Sequence, residues 1–334
     1  MVKHKNKFKR ILVTGATGVA GPAIVEQLLE KGYQVRVFSR HCLAHNCLSN
    51  KVERFQGDIL DPEAVSLAMK DIDAIFHLAA KLHDTKGLSL EATYLTTNVK
   101  GTRLLVNTAR AAGVKRFIFF STINVYGASN PNQCFDESSP VCPGEIYSRS
   151  KLEAEKIILE AGQCTPEFSV VILRVAAVYG KRMKGNYNLL IHYLRKGGFL
   201  LLGSGKNQRT LIFDKDLAKA SLKVLEHPEI NGKIYNITDG SVHTFQEIVH
   251  SMCQAMGRNS LFIKIPETLM QKLISLKHKE NNSNPLNRFL NAAEKQMESL
   301  VVSGDKLQKE LDFIPEYDLD KGWRCVISNT VNTP

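Results

Sequence analysis

The sequence has no long apolar run and no paired cysteines. Over its 334 residues, no apolar stretch reaches the roughly 18 to 20 residues that a membrane-spanning helix needs. The basic residues at the start are not followed by the apolar and small-residue pattern of a cleaved signal peptide. The seven cysteines are odd in number and include no C-x-x-C pair, unlike a disulfide framework. We therefore expect a cytoplasmic protein with reduced thiols and no integral membrane segment.

Internal repeats and low-complexity segments are also missing. A composition of 43% hydrophobic and 23% charged residues is that of a globular protein and excludes a fibrous or disordered chain. The net charge of +11 favours anionic partners such as nucleotides. The densest basic run lies at residues 3–10 and has no interleaved aromatic ladder, so we interpret it as a solvated tail and predict no nucleic-acid partner.

One short segment has the residue types of a zinc site. Residues 41–47 contain two histidines and two cysteines. A structural zinc site needs four ligands, usually from two pairs, and no second pair lies at a matching distance. We predict an ordinary loop here and no metal site.

Short apolar runs alternate with longer helical patterns in the first half of the chain. Continuous apolar segments of this kind, rich in β-branched residues, are typical of parallel strands covered on both faces. They lie at residues 11–13, 35–38, 74–78, 117–120 and 169–173. Their alternation with helices predicts an α/β fold with a doubly wound parallel sheet, Rossmann-like and of about seven strands.

The later part of the chain has a looser pattern. We predict a dinucleotide-binding domain over residues 1–180, rejoined by residues 211–240, and a mainly helical substrate-binding region over 181–334. Two acidic residues mark helix starts. Asp61 precedes Pro62, and Asp214 is expected to cap a helix that ends near Glu226.

The first chemical motif is glycine-rich and lies between a predicted strand and a predicted helix. In residues 14–21, Gly15 permits the tight turn, Gly18 lets the backbone approach a pyrophosphate, and Gly21 lets the helix pack closely. The helix N-terminus then offers free N–H groups to an anion. This motif predicts a dinucleotide site.

The end of the second strand bears on the type of dinucleotide. A cofactor with a free 2′-hydroxyl usually meets an acid here, but this chain has Ser39 and Arg40. An arginine can pair with a 2′-phosphate, so the sequence slightly favours NADP over NAD.

Tyr147 and Lys151 lie four residues apart in a helical pattern. Residues at this spacing share one helix face, so the ammonium can stand beside the phenol and favour the phenolate. The strand over residues 117–120 leads into two hydroxyls, Ser121 and Thr122, at the sheet edge where ligands bind. Together these residues predict proton transfer to and from a substrate oxygen.

In this order, the motifs resemble those of the extended short-chain dehydrogenase/reductases, the NAD(P)-dependent epimerase/dehydratase family. The glycine motif matches the family's T-G-x-x-G-x-x-G, and residues 97–102 match its helix motif. The resemblance covers nearly the whole chain. Residues 179–180, 184–186, 203–210 and 235–240 are most similar to bacterial nucleotide-sugar 4-epimerases. The family likeness implies a homodimer.

The resemblance also implies which residues contact the cofactor. Residues 57–59 resemble the family segment that meets adenine, and residues 77–80 resemble the segment that passes the ribose and phosphates. The implied cofactor-binding residues are Gly15, Thr17, Gly18, Val19, Gly21, Ser39, Arg40, Asp58, Ile59, Leu78, Ala79, Ala80, Asn98, Ser121, Tyr147, Lys151 and Ala176.

The catalytic set implied by the resemblance is Thr122, Tyr147 and Lys151. Asn186 and Arg209 are the implied ligands of a nucleotide diphosphate, which suits the bidentate fork of arginine. The implied substrate-binding residues are Lys81, Thr122, Asn124, Asn186 and Arg209.

Two departures from the family narrow the expected reaction. Dehydratases of the family carry an acidic pair directly after the catalytic threonine, whereas this chain has Ile123 and Asn124, so sugar dehydration is not expected. The segment after the arginine of the sixth strand reads Val175, Ala176 and Ala177, which changes the shape of the sugar pocket.

The sequence thus predicts an NAD(P)-dependent nucleotide-sugar epimerase that inverts C4 of a UDP-sugar through a 4-keto intermediate. Two alternatives remain open. One is an NADPH-dependent carbonyl reductase of a non-nucleotide substrate, favoured by Arg40. The other is a non-catalytic nicotinamide-dinucleotide sensor, which the presence of Thr122, Tyr147 and Lys151 disfavours.

Overall fold

The structure is a computed structural model. It describes residues 8–41, 48–82, 90–130, 133–183, 186–196, 199–202, 204–259, 262–275, 290 and 297–328. Most of the histidine and cysteine segment, residues 42–47, and most of the basic tail, residues 1–7, lie outside the described residues. Within the described residues, no helix has the length and apolarity needed to cross a membrane.

A seven-stranded parallel sheet forms the centre of the molecule, as the sequence predicts. The strands are β1 (Arg10–Thr14), β2 (Gln34–Ser39), β3 (Glu53–Gln56), β4 (Ala74–His77), β5 (Arg116–Thr122), β6 (Ser169–Val175) and β11 (Lys233–Ile237). Their order across the sheet is β11-β6-β5-β4-β1-β2-β3. Because successive side chains of a strand point to opposite faces, Ile11 and Val13 pack in one apolar core and Leu12 packs in another. Both faces are therefore covered, which is the doubly wound arrangement.

Helices cover the two faces and connect the parallel strands. They are α1 (Gly21–Glu30), α2 (Pro62–Ala68), α3 (Leu90–Tyr94), α4 (Gly101–Ala111) and α5 (Ile146–Gln163). A π-helical turn (Leu95–Lys100) joins α3 to α4, and a 3-10 turn (Ile123–Tyr126) follows β5. The prediction for α2 is confirmed, since the Asp61 side chain accepts hydrogen bonds from the backbone N–H groups of Glu63 and Ala64.

The second part of the chain contains more strand than the sequence predicts. Its helices are α6 (Asn186–Arg195), α7 (Asp214–Glu226), α8 (Phe245–Ala255), α9 (Glu267–Ser275), α10 (Asp305–Glu310) and α11 (Leu319–Ser328). Three strand pairs accompany them: β7 (Ala177–Tyr179) with β10 (Leu211–Phe213), β8 (Phe199–Leu202) with β13 (Phe262–Ile265), and β9 (Gln208–Arg209) with β12 (His243–Thr244). A third apolar core, which includes Tyr179 and Trp323, packs here. Strand β11 returns to the main sheet beside β6. The division at residue 180 stays a prediction.

The prediction that Asp214 caps α7 is wrong. Phe213 is the N-cap residue, and Asp214 is the first residue of the helix itself. Its side chain packs against Gly180, where an added Cβ would lie 2.1 Å from Asp214 Oδ2. Burial raises the pKa of Asp214 to about 6. A buried carboxylate facing a loop resembles a cap in sequence, but here it fills the space that a glycine leaves.

The C-terminal end of α7 is held by a buried arginine at the start of β5. Arg116 donates hydrogen bonds to the carbonyls of Leu225 and His227, each at 2.6 Å. These carbonyls have no partner within the helix.

We expect Arg116→Met to lower the free energy of unfolding by about 2 kcal/mol or more, because buried acceptors lose their donor. The neighbouring variant Lys115→Met removes only a half-exposed ion pair with Asp73 and should cost less than about 1 kcal/mol. Denaturant titration of both variants checks this, and equal losses would contradict it.

Candidate active site

The site begins where β1 and β4 lie side by side and their connections leave toward opposite faces of the sheet. The Gly15 backbone, with φ of +70°, lies so close to the loop after β4 that an added Cβ would be 2.5 Å from the Ala79 nitrogen and 2.7 Å from the Leu78 carbonyl carbon. Only glycine fits this position without strain. The glycine loop and the loop after β4 therefore form one continuous wall.

The N-terminus of α1 points into a cavity beside this wall. Its N-cap, Ala20, makes no side-chain hydrogen bond to the first turn, so the turn's N–H groups remain available to an anion. The cavity has a volume of about 600 Å³. The glycine loop and helix start thus fit the pyrophosphate of a dinucleotide. The predicted residues that line the cavity are Gly15, Gly18, Val19, Gly21, Leu78, Ala80, Lys81, Ser121, Thr122, Asn124, Tyr147, Lys151 and Ala176.

Below the cavity floor, a buried histidine connects three elements. His77 Nδ1 lies 2.7 Å from Thr14 Oγ1, and its Nε2 lies 2.9 Å from Thr102 Oγ1. Thr14 also accepts a hydrogen bond from the Ala79 N–H. Burial, together with the nearby Lys151 charge, lowers the pKa of His77 to about 3. His77 is therefore a neutral structural link between β1, β4 and α4, and it carries no charge to the cavity.

Helix α5 presents Tyr147 and Lys151 to the cavity. A capping box between Glu145 and Ser148 fixes where the helix begins, so Tyr147 lies in its first turn and Lys151 one turn later. Tyr147 is half-buried and packs edge-on against Tyr94, with ring centroids 6.4 Å apart. Lys151 is buried, and its Nζ lies 3.9 Å from the centroid of the Phe119 ring.

Burial shifts the pKa values of these two groups in opposite directions. It lowers the pKa of Lys151 to about 7, although the charge of Glu155 works against this shift. It raises the pKa of Tyr147, and the neighbouring Tyr94 adds to the effect. A phenolate at Tyr147 therefore depends on positive charge close by, and the Lys151 ammonium is the side chain placed to provide it.

The two hydroxyls at the end of β5 differ in the protons that they can offer. Ser121 donates a buried hydrogen bond to Glu155. Thr122 Oγ1 instead accepts a hydrogen bond from the Asn124 N–H at 3.2 Å, which leaves the Thr122 proton available. Since a hydroxyl has one proton, Thr122 can donate to a substrate oxygen, whereas Ser121 can only accept.

Asn98 does not line the cavity, although the sequence analysis included it among the cofactor contacts. Its side chain accepts from the Lys81 N–H at 2.7 Å and donates to the Lys81 carbonyl and to Ser150 Oγ. Ser150 in turn donates to the Tyr147 carbonyl. Asn98 thus ties the loop after β4 to the first turn of α5, and any effect on a cofactor passes through these groups.

The predicted adenine side lies at the ends of β2 and β3. The Gly57 N–H donates to the Ser39 carbonyl at 3.2 Å, so the structure brings these two segments together. Asp58 accepts from the Leu60 N–H, and Ile59 packs in an apolar core. Arg40 is exposed. A direct role for these side chains in cofactor binding stays a prediction.

The remaining predicted residues lie around the main cavity. Thr17 is half-buried in the glycine loop, and Ala79 provides the backbone that Gly15 approaches. Arg209 lines a smaller cavity of about 170 Å³, which shares Thr122, Asn124 and Ala176 with the larger one. Asn186 begins α6, but its side chain lies outside the described residues, as do Lys184 and Gly185.

Sequence reasoning missed several residues of the site. Some apolar residues line the cavity but belong to no motif that the sequence could reveal; they include Ala20, Leu82, Phe120 and Leu217. Glu155 is the most consequential omission, since it holds both Ser121 and Arg174. Glu155 lies four residues after Lys151, which lies four residues after Tyr147. This spacing places the three residues on one face of a helix, and it was the signal available in the sequence.

Comparisons with known proteins agree with this geometry. The model of the NAD dependent epimerase/dehydratase family matches residues 11–238. The UDP-glucose 4-epimerase of Vibrio cholerae is 31% identical over 266 residues, which cover 77% of this chain and 79% of that protein. The dTDP-D-glucose 4,6-dehydratase of Mus musculus is 35% identical over 245 residues, which cover 69% and 68%.

Solved structures extend the similarity over almost the full length. The dTDP-glucose 4,6-dehydratase of Streptomyces venezuelae, crystallised with NAD, is 26% identical, with a TM-score of 0.77 and 97% of each chain covered. The UDP-glucose 4-epimerase of Thermotoga maritima, crystallised with UDP-glucose, has a TM-score of 0.79 over 96% of this chain and 98% of that one. At 21% identity, the latter likeness concerns the fold alone.

The contact between Gly15 and Ala79 can be tested against a glycine with the same backbone conformation. Gly113 has φ of +76°, but an added Cβ there would meet no atom within 4 Å. We expect Gly113→Ala to cost about 1 kcal/mol from backbone strain alone. Gly15→Ala should cost more and should also weaken NADH binding by about tenfold or more, since the cavity wall must move. Thermal unfolding and fluorescence titration with NADH measure both effects. Equal behaviour of the two variants would contradict the assigned role of Gly15.

Proposed function

The chain belongs to the NAD-dependent epimerase/dehydratase family of enzymes, and on that premise we propose that it is a nucleotide-sugar epimerase that inverts C4 of a UDP-sugar. The single observation that carries the proposal is the set of groups around the reaction centre. Tyr147, Lys151 and Thr122 line the larger cavity. Among the described residues, no carboxylate lines that cavity.

This set suits proton exchange at a sugar oxygen better than loss of water. Expelling a hydroxyl as water requires a further acid and base, and the two positions after Thr122 are the apolar Ile123 and the amide Asn124. Glu298 lines only the smaller cavity, together with Arg209. The relatives include both epimerases and dehydratases, so it is this chemistry that favours epimerisation.

In the proposed reaction, the Tyr147 phenolate takes the proton of the sugar 4-hydroxyl and later returns it. Thr122 donates a hydrogen bond to the same oxygen, because its hydroxyl accepts from the Asn124 N–H and no residue in the described part of the chain accepts its proton. The Lys151 ammonium stabilises the phenolate and would hold the nicotinamide ribose. When bound, the dinucleotide supplies the hydride acceptor and donor. The sugar passes through a 4-keto form and turns over before it is reduced.

The substrate assignment rests on the smaller cavity. Arg209 lines it beside Asn124 and Thr210, and a guanidinium suits the oxygens of a diphosphate. Thr122 lines both this cavity and the larger one that contains Tyr147, so a diphosphate at Arg209 would place its sugar on the side of the reaction centre. Ala176 and Ala177 leave room for the sugar on this path.

One observation favours a second function, a carbonyl reductase that uses NADPH. Arg40 follows β2, where the cofactor's adenine ribose is expected, and a 2′-phosphate would find a positive partner there. A reductase consumes its cofactor in each cycle, whereas an epimerase regenerates it. A sensor without catalysis is disfavoured by the arrangement of Thr122, Tyr147 and Lys151. The homodimer and the cytoplasmic location remain predictions.

Turnover without added cofactor tests the proposed function. We expect the purified protein to release a nicotinamide dinucleotide on denaturation and to isomerise UDP-sugars with none added, measured by chromatography of the sugars. Tyr147→Phe should bind the dinucleotide normally but lose activity by a factor of about 10² to 10⁴, since the general acid/base is removed. Steady consumption of NADPH with a carbonyl compound, without any isomerisation, would refute the epimerase. A wild-type protein that binds the dinucleotide but turns over no substrate would favour the sensor, and a Tyr147→Phe variant as active as an active wild type would contradict the role of Tyr147.

Arg40 offers a separate test of cofactor preference. If it pairs with a 2′-phosphate, Arg40→Ser should weaken NADPH binding by about tenfold or more and leave NADH binding within about twofold. Arg103 is a suitable control because it is an exposed arginine on α4, so Arg103→Ser makes the same change in net charge. Fluorescence titration with each dinucleotide gives the affinities. A parallel loss for both cofactors would argue against the pairing.

A further inference from the structure

A buried ion pair lies directly beneath the reaction centre. Glu155 of α5 and Arg174 of β6 are 2% and 5% exposed, and Arg174 Nη2 lies 2.7 Å from Glu155 Oε2. Arg174 Nε lies 3.2 Å from each carboxylate oxygen. Desolvating two charges is costly, and a buried pair is weak support for stability alone. Stability alone therefore does not explain why the Glu155–Arg174 pair is buried here.

The Arg174 side of the pair is fixed by a chain of further contacts. Arg174 Nη1 donates to the Tyr126 hydroxyl at 2.9 Å, and Tyr126 donates to Asn236 Oδ1 at 2.9 Å. Asn236 then donates to the Ser303 carbonyl. The guanidinium is thus anchored from β6 through β11 to the segment before α10. It holds the Glu155 carboxylate in one position.

On its other side the Glu155 carboxylate meets Ser121, which lines the larger cavity. It accepts the Ser121 proton, so Ser121 meets a ligand only as an acceptor. It also lies four residues beyond Lys151 on the same helix, a spacing at which side chains share one helix face. Its negative charge raises the pKa of Lys151, against the effect of burial. Among the described residues, the ionisable groups whose charges interact with Lys151 are His77 of β4, which is neutral, and Glu155 of α5. Tyr147 lines the same cavity as Lys151.

We propose that Glu155 is a positioning residue for proton transfer: held by Arg174, its carboxylate accepts the hydrogen bond of Ser121 and places a negative charge one helical turn from Lys151. At one net charge, the site can hold either a Tyr147 phenolate with a Lys151 ammonium or a Tyr147 phenol with a neutral Lys151 amine. A carboxylate beside Lys151 favours the first arrangement, which is the one that can accept a substrate proton. The inference rests on the proposed function in assigning Lys151 to the nicotinamide ribose.

The test measures NADH affinity against pH, which requires no substrate. An ammonium has one more donor and one more positive charge than an amine, so we expect affinity to fall as pH rises through the Lys151 titration. Lys151→Met should lack this pH-dependent fall in NADH affinity, which we call the pH step. Its loss in this variant identifies the step as the titration of Lys151. In Glu155→Gln the step should move about one pH unit lower, a tenfold change in the proton affinity of Lys151, because a negative charge beside the ammonium is lost.

The matched control is Glu153→Gln, the same substitution on the same helix at a 47% exposed side chain that pairs only with Lys156 among the described residues. It should leave the step in place. Ser121→Ala should lower the affinity at every pH without moving the step, because it removes an acceptor and retains the carboxylate. Thermal unfolding of each variant reports the loss of stability separately.

Two results would overturn the inference. One is a Glu155→Gln protein that is less stable but has the wild-type pH step, which would make the ion pair purely structural. The other is a wild-type protein without any step that Lys151→Met removes. If Glu155→Gln does not fold, Glu155→Asp decides: its shorter side chain draws the charge away from Lys151, so the step should move in the same direction by less, and an unmoved step overturns the inference. If the wild type isomerises no nucleotide sugar, the proposed function is refuted. The dependence of NADH affinity on pH can still be measured, because it requires no substrate.

Discussion

Two stretches of backbone meet at Gly15 and Ala79 with no space for a side chain between them. This contact closes the point at which the strand order reverses, between β1 and β4. Connections leave this point toward opposite faces of the sheet, and a cleft at the carboxyl ends of the strands results. The helix start at Gly21, the hydroxyls at the end of β5 and the phenol on α5 all line the cavity in that cleft.

The cavity combines groups whose charges depend on one another. His77 stays neutral through burial, and burial also lowers the pKa of Lys151 to about 7. Ser121 donates its hydrogen bond to Glu155, whereas Thr122 accepts a hydrogen bond from the Asn124 N–H. Hydrogen-bond direction, which residue type alone does not specify, therefore separates two adjacent hydroxyls into an acceptor and a donor. In a site made for moving protons, this assignment matters as much as the positions of the atoms.

Much of this architecture is encoded in contiguous patterns. The apolar runs that became β1, β2, β4, β5 and β6 are buried on both faces, so composition alone predicts them. Tyr147 and Lys151 are near in sequence, and helix geometry fixes their relation. In contrast, β3 reads Glu-Arg-Phe-Gln and has no apolar run, because it lies at the edge of the sheet. The network around Glu155 links residues 34 and 19 positions away, and only the assembled sheet brings them together. Asp214 misled the sequence analysis because a carboxylate before a helical pattern has the same signature whether it caps the helix or packs against a glycine.

The late return of β11 to the sheet has a consequence for how the protein is made. As the nascent chain leaves the ribosome, β6 emerges long before its outer neighbour, and until residue 237 is available one side of an apolar strand has no hydrogen-bonding partner. Exposed strand edges invite pairing between unfinished copies. The segment with Arg209 is synthesised within this interval, so the part of the chain that would grip a substrate is already present when β11 shields the edge. The strand edge is therefore protected before the pocket is complete, because Glu298 and Leu300, which also line the smaller cavity, are synthesised after β11.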